Sequence, residues 1–307
     1  VNIETLDKVK GCLVGLACGD AVGTTLEFKY KGEFTPLSDM EGGGPFGLKK
    51  GQWTDDTSMA LCLAHSLLQK KGFSATDQMN RYCNWYQYGY MSSTGECFDI
   101  GSTVLSALNR YLQTGDPFSG STSTRSSGNG SLMRLAPIPI FFSSTTSDAT
   151  YFAGESSRTT HGSDECIESC RLLCNLILSI FIGINKNELL ASIEQTPTNE
   201  KVKTIASGQF LDQHYEELTG SGYVIESLIS ALWCFFNTNS FREAILLAAN
   251  IGNDADTTAA ICGQIAGAYY GVSGIPEVWA QQISLSEEIH TLAEDLYKVG
   301  LSVANEW

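Results

Sequence analysis

The sequence predicts an all-α fold in one domain spanning residues 1–307. Three observations predict it. Apolar residues recur at three- and four-residue spacing along most of the chain, strand-like alternation is scarce, and no composition shift or fixed-period repeat divides the sequence. The periodic segments are 5–23, 55–71, 75–89, 101–113, 163–183, 223–237, 240–250, 256–271 and 284–303. Three loops lie between them: 28–53 with its EGGGP turn, 114–130 with SGSTSTRSSGNG, and 194–222. The second loop reads as a linker by composition. Yet it ends in GNGSLMR and runs into an apolar segment broken by Pro137 and Pro139.

The first helix, 5–23, places Gly11, Gly15, Gly19 and Gly23 four residues apart on one face. Glycine inside a helix costs about 0.8–1 kcal/mol against alanine, so four of them require a compensating reason. Close approach of another helix is such a reason. The 256–271 helix carries its own stripe at Gly263, Gly267 and Gly271. Antiparallel packing of the two stripes would bring Glu27, just beyond the first helix, toward Asp254 and Asp256. The alternative is that each stripe packs against some other element.

The 55–71 helix opens on QWTDDTSMA. Thr54 suits an N-cap, and Asp55 and Asp56 suit the positive end of the helix dipole. That local reading covers one occurrence. A second occurs at IGNDADTTAA, where Asp254, Asp256 and Thr257 open the 256–271 helix. Two distant helix starts therefore each offer carboxylates and a threonine hydroxyl. Such hard oxygen donors suit Mg²⁺ or Mn²⁺, whereas zinc prefers His and Cys. A divalent ion also offsets the repulsion between adjacent carboxylates.

Composition narrows the function classes. A formal charge of −15 argues against a broad nucleic-acid surface, so no nucleic-acid duplex is expected as a partner, nor an anionic membrane. No run of 18 apolar residues occurs, and VNIETLDKVKG lacks the basic-then-apolar form of a signal peptide. The expectation is a soluble, cytoplasmic monomer. Most of the ten cysteines sit in apolar helical patterns, which favours reduced, buried thiols. Cys166, Cys170 and Cys174 share one helix face, but their spacing is not that of a zinc knuckle.

GDAVGTTLEF, QWTDDTSMAL, CFDIGST, GNGSLMR, SRTTHG and NDADTTAAICGQIAGAYYG follow the order seen in the ADP-ribosylglycohydrolases. The chain resembles that family over roughly residues 10–271, and within it most resembles the branch of the dinitrogenase reductase-activating glycohydrolase. The resemblance implies an all-α orthogonal helical bundle with a cleft holding two Mg²⁺ or Mn²⁺ ions. It implies hydrolysis of the glycosidic bond between ADP-ribose and a modified side chain. Thr54, Asp55, Asp56, Asp254, Asp256 and Thr257 become metal ligands by motif. Glu27 matches an acidic residue implicated in catalysis, and Asp99 an aspartate at the distal ribose. Both are carried forward as catalytic candidates. Two departures stand out: Asn253 occupies a position where glycine is usual, and SDE follows THG where the family often has an HP-like sequence.

The chemistry of the residues is compatible with that resemblance. ADP-ribose is an anion, and Gly128, Asn129, Gly130 and Ser131 offer backbone N–H groups near a helix start as a pyrophosphate cradle. An ordinary turn is the competing reading of that stretch. Gly101 and Ser102 are expected to join the cradle, with Met133 lining the pocket and His161 near the distal ribose or aglycone. Asp99 has a second reading as the cap of the 101–113 helix, and a lone histidine such as His161 is more often structural. Glycosidic cleavage passes through oxocarbenium-like charge and commonly uses carboxylates. The sequence shows no Ser–His–Asp pattern and no GxxxxGK loop.

The expected function is metal-dependent hydrolysis of ADP-ribosylated side chains, with ADP-ribosylarginine as the preferred linkage. Partners would be an ADP-ribosylated protein or an ADP-ribosyl small molecule. Alternatives are a hydrolase of serine-linked or O-acyl ADP-ribose, and a non-enzymatic ADP-ribose-binding or crystallin-like protein on the same fold. Intact Glu27 and both aspartate pairs speak against the non-enzymatic class.

Overall fold

In the computed structural model, which describes residues 2–305, the chain forms thirteen α-helices and only isolated β-bridges. The central pair is α1 (Ile3–Gly23) and α11 (Ala255–Tyr270), which lie side by side over most of their length. A Cβ on Gly11, Gly15, Gly19 or Gly23 would fall on the carbonyl oxygen of Gly267, Gly263, Ala259 or Ala255 in turn. The pairing runs antiparallel, as the two glycine stripes predict. Backbone touches backbone here, so the glycines are set by contact. Both helices are accordingly buried nearly all round: the Ile3–Leu26 stretch is apolar and long enough to cross a membrane, yet 94% of its most apolar window is inside the molecule.

Around this pair pack α2 (Asp55–Lys70), α7 (Asp164–Phe181), α9 (Val224–Phe236), α10 (Phe241–Ala249) and α13 (Ser286–Ala304). α3 (Ala75–Tyr88) lies on α2, with α4 (Ser102–Thr114) on α3. All nine periodic segments are therefore helical where expected, with ends shifted by a residue or two. Four helices are additional. α5 (Pro137–Phe141) starts at Pro137, whose missing N–H is harmless in a first turn. α6 (Thr146–Arg158) buries only small or polar side chains such as Ala149, Ala153 and Ser157, so its apolar period is weak. α8 (Glu200–Ala206) and α12 (Glu277–Gln282) are too short for a period to develop.

The ten cysteines are all free, and only Cys97 is not fully buried. Burial pushes the thiols up, with Cys166 at about 12. No cysteine joins a cluster with metal-binding geometry among the described residues.

Candidate active site and metal centre

Three helix ends converge on one acidic floor. α1 contributes Asp20 in its last turn and, after a 3₁₀ turn at Thr24–Leu26, Glu27. α2 and α11 bring their N-termini, with Thr54, Asp55 and Asp56 from one and Asp254, Asp256 and Thr257 from the other. A parallel bridge between Glu27 and Asn253 ties the two chain segments together: the Phe28 N–H donates to Asn253 O (2.7 Å), and the Asn253 N–H to Lys29 O (2.6 Å). The glycine-set packing of α1 on α11 thus does carry Glu27 to the second aspartate motif.

Thr54 sits at the cap position of α2, but its hydroxyl makes no capping bond. It bridges the motifs instead, lying 3.2 Å from Asp56 Oδ2, 3.1 Å from Asp256 Oδ2 and 2.9 Å from Asp20 Oδ1. The capping role falls to Asp20, whose Oδ2 accepts from the Thr57 N–H at 3.0 Å and whose Oδ1 accepts from the Thr54 N–H at 2.9 Å. Thr57 Oγ1 donates to Asp20 Oδ2 at 2.6 Å as well. Across the floor, Thr257 Oγ1 donates to Asp56 Oδ2 at 3.3 Å, and Asn129 Nδ2 donates to Asp254 Oδ2 at 2.7 Å.

Carboxylate oxygens of Asp20, Asp56 and Asp256 lie within 4.8 Å of one another, and so do those of Glu27, Asp99 and Asp256. Such crowding in a dry site opposes ionisation. Burial, with the Asp99 charge next, pushes Glu27 up to about 10. Asp99 rises to about 7 and Asp20 to about 6, chiefly by burial. Asp55, Asp56 and Asp256 are raised well above the usual carboxylate range by burial and by neighbouring carboxylates. Three buried carboxylate oxygens of this floor, Glu27 Oε2, Asp56 Oδ1 and Asp256 Oδ1, have no hydrogen-bond partner among the described residues. Orphaned buried acceptors are costly, and an all-oxygen set of this kind fits hard divalent cations. The donor set therefore suits the group that the sequence implies.

Above the floor opens a cleft of about 450 Å³. Glu27, Asp55, Asp99, Asp254 and Thr257 line its acidic end, while Gly101, Ser102, Gly128, Asn129, Gly130, Met133 and His161 line the remainder. Asp56, Asp256 and Thr54 lie beneath it. Gly101 caps α4, so Asp99 is free of the capping role and reaches Glu27 and Asp256 instead. The 114–130 loop is no idle linker, since its end forms one wall. Ser131 faces away: its Oγ accepts from Ser157 Oγ at 2.8 Å, behind the loop. His161 is 2% exposed, with its ring against Gly128 and Gly130. Burial, then the nearby Arg134 charge, lowers it to about 3, so it is neutral at ordinary pH.

Several residues of the site were missed from sequence. Asp20 is one, although a lone aspartate inside the apolar run LACGDAVG was a usable signal. Arg134 is another. It is fully buried; Nη1 donates to Gly130 O, and Nη2 to Ser156 O and Thr159 Oγ1, each at 3.2 Å. Its guanidinium lies 4.6 Å from the Tyr82 ring centroid. Phe28, Asp99 and Asn253 line the cleft with left-handed backbones (φ 61°, 59° and 58°). Conformations of this sort cost about 1–3 kcal/mol and cluster at functional sites. For Asn253 the φ explains the departure noted above, because asparagine tolerates the region that glycine would otherwise supply. The other departure, SDE, starts α7, with the Ser163 hydroxyl accepting from the Cys166 N–H.

Fold and cleft together define a class, an all-helical protein that gathers oxygen donors from three helix ends beside a glycine-rich loop. A model of the ADP-ribosylglycohydrolase family matches residues 2–305, and the chain belongs to that family. It is 44% identical to the ADP-ribosylarginine hydrolase Tri1 of Serratia proteamaculans (strain 568), over 96% of this chain and 80% of that protein. Identity to the ADP-ribosyl-[dinitrogen reductase] glycohydrolase of Rhodospirillum rubrum is 30%, over 92% of each chain. Among solved structures, an ADP-ribosylglycohydrolase-related protein complex superposes with a TM-score of 0.87 at 40% identity, covering 97% of this chain and 99% of the other.

Proposed function

We propose that this chain hydrolyses the N-glycosidic bond of ADP-ribosylated arginine on proteins, releasing ADP-ribose, in a metal-dependent reaction. The observation that carries the reading is the junction of Glu27, Asp99 and the two aspartate motifs at one end of a cleft whose other wall is the GNGS loop. Similarity to arginine-directed relatives supports the linkage. Two Mg²⁺ or Mn²⁺ ions, held by Thr54, Asp55, Asp56, Asp254, Asp256 and Thr257, would neutralise the clustered carboxylates and supply Lewis-acid binding of the ribose hydroxyls.

The chain's own groups divide the remaining work. The Gly128 and Asn129 N–H groups donate to Ser126 O and Gly222 O and shape the loop, which leaves the Gly130 N–H to meet the phosphates, and Gly101–Ser102 closes the opposite side. Neutral His161 backs the loop without adding charge. In hydrolysis the bond from the ribose carbon to the guanidine nitrogen breaks, a bond to water oxygen forms, and one proton passes from water to the leaving nitrogen. In this reading Glu27 carries that proton, which its unpartnered Oε2 and the adjacent Asp99 support. Residues 1–307 act as one such unit in this reading.

The test is incubation with matched arginine-linked and serine-linked ADP-ribosyl peptides, with Mg²⁺, Mn²⁺ or chelator, following release by mass spectrometry. Release from the arginine peptide in metal alone is expected. Equal release under chelator would refute metal dependence, and release only from the serine peptide would refute the linkage.

A further inference from the structure

The mouth of the cleft carries an aromatic residue that the reaction as described does not use. Phe28 follows Glu27 directly, lines the cleft, and is 63% exposed. Its position is unfavourable twice over. A large apolar ring stands in water, and it does so on a left-handed backbone held by the Phe28 N–H bond to Asn253 O. Phe46 packs edge-on against it with centroids 6.4 Å apart, and Phe98 backs Phe46 at 5.2 Å. These rings come from two separate segments, the two ends of the 28–53 loop and the loop before α4, so their meeting is a product of the fold.

The surroundings identify what such a ring would meet. Glu27, Asp55 and Asp99 line the adjacent cleft wall, making this end acidic, and no lysine or arginine lines the cleft. An aromatic face beside carboxylates attracts a flat, delocalised cation, which is the character of a guanidinium group. The leaving side chain must pass out of the cleft beside Glu27, because that residue handles its proton. We propose that Phe28, backed by Phe46 and Phe98, is the platform on which the substrate's arginine guanidinium rests, and that it makes the site selective for cationic over hydroxyl-linked ADP-ribose. The proposal rests on the arginine-directed reading above.

Phe28→Ala, Phe28→Leu and Phe28→Tyr are compared with the parent chain on an arginine-linked ADP-ribosyl peptide, with calorimetric affinity for ADP-ribose as control. The ring is exposed, so all variants are expected to fold, checked by thermal melting. Phe28→Ala and Phe28→Leu should raise KM by about three- to tenfold, the range of a cation over an aromatic face. Phe28→Tyr should stay within about twofold, and ADP-ribose affinity should hardly move in any variant. Leucine matching phenylalanine would overturn the cation-binding role. An equal loss of ADP-ribose affinity would overturn it too, by placing the adenosine half on the ring. An unchanged KM in Phe28→Ala, with the parent chain active, would overturn the platform alone. A parent chain inert on the arginine peptide would instead overturn the function on which the platform rests.

Discussion

Glu27 holds its proton more tightly than Asp99, the other catalytic candidate, because it is buried and faces Asp99, Asp254 and Asp56. A group so placed can exchange a proton with bound substrate only if its carboxyl oxygen stays available, and Oε2 has no partner. Glu27→Gln preserves the shape, and as a neutral group it does not add to the crowding. It should therefore retain ADP-ribose binding while turnover falls by at least about 10². Calorimetry paired with single-turnover release from an arginine-linked peptide checks this. Near-normal turnover would remove Glu27 from the proton path, and joint loss of binding would make it a ligand-site residue. At this scale much of the site was legible in sequence, because TDD and DADT state their chemistry twice. Asp20, Arg134 and Phe28 were not, since their roles come from neighbours on other segments: Thr54 for Asp20, Ser156 and Thr159 for Arg134, and Asn253 for Phe28.

Among elements, the α1–α11 contact decides whether the site exists. A Cβ at Gly15 would strike Gly263 O, a backbone atom that cannot yield without moving a helix, and would come 3.0 Å from Phe241 Cε2. Gly15→Ala should consequently cost more than the roughly 1–3 kcal/mol of ordinary overpacking, despite alanine's better helix propensity. Gly72 offers the control, with open space around its Cα, so Gly72→Ala should stay within about 0.5 kcal/mol. Urea unfolding of both variants measures the difference, and equal stability would mean that the stripe is not a contact surface. The stripe could be read from sequence because glycine at four-residue spacing in a helix has few causes. α6 could not, because its buried face is alanine, serine and glycine, which carry little periodic signal.

For the molecule as a whole, the acidic floor couples stability to pH and metal. Asp20, Asp99, Glu27, Asp55, Asp56 and Asp256 all hold protons more tightly when folded than the usual carboxylate does. Their contribution is complete below about pH 4 and is lost as pH rises through the folded values, Asp20 near 6 and Asp99 near 7 first. His65, His161 and His290, lowered by burial, work in the opposite direction, but only below about pH 6.5. Lys186, lowered to about 8, opposes it only above that value. Metal-free protein should therefore lose stability between about pH 6.5 and 8. Divalent metal should restore it, by about 2.7 kcal/mol at a hundredfold excess over its dissociation constant. Melting curves at the two pH values, with Mg²⁺, Mn²⁺ or chelator, test both claims. A metal-free protein that gains stability toward pH 8 would contradict the first, and a melting temperature indifferent to metal the second.

The antiparallel seam between α1 and α11 also has a consequence for synthesis. α1 leaves the ribosome well before α11, whose covering glycines are roughly 250 residues further on. At about 5–20 residues per second, this long apolar helix waits some ten to fifty seconds without its partner. Newly made chains should accordingly be chaperone clients until α11 emerges. Truncation before α11 should leave a chain that aggregates, with no smaller active core.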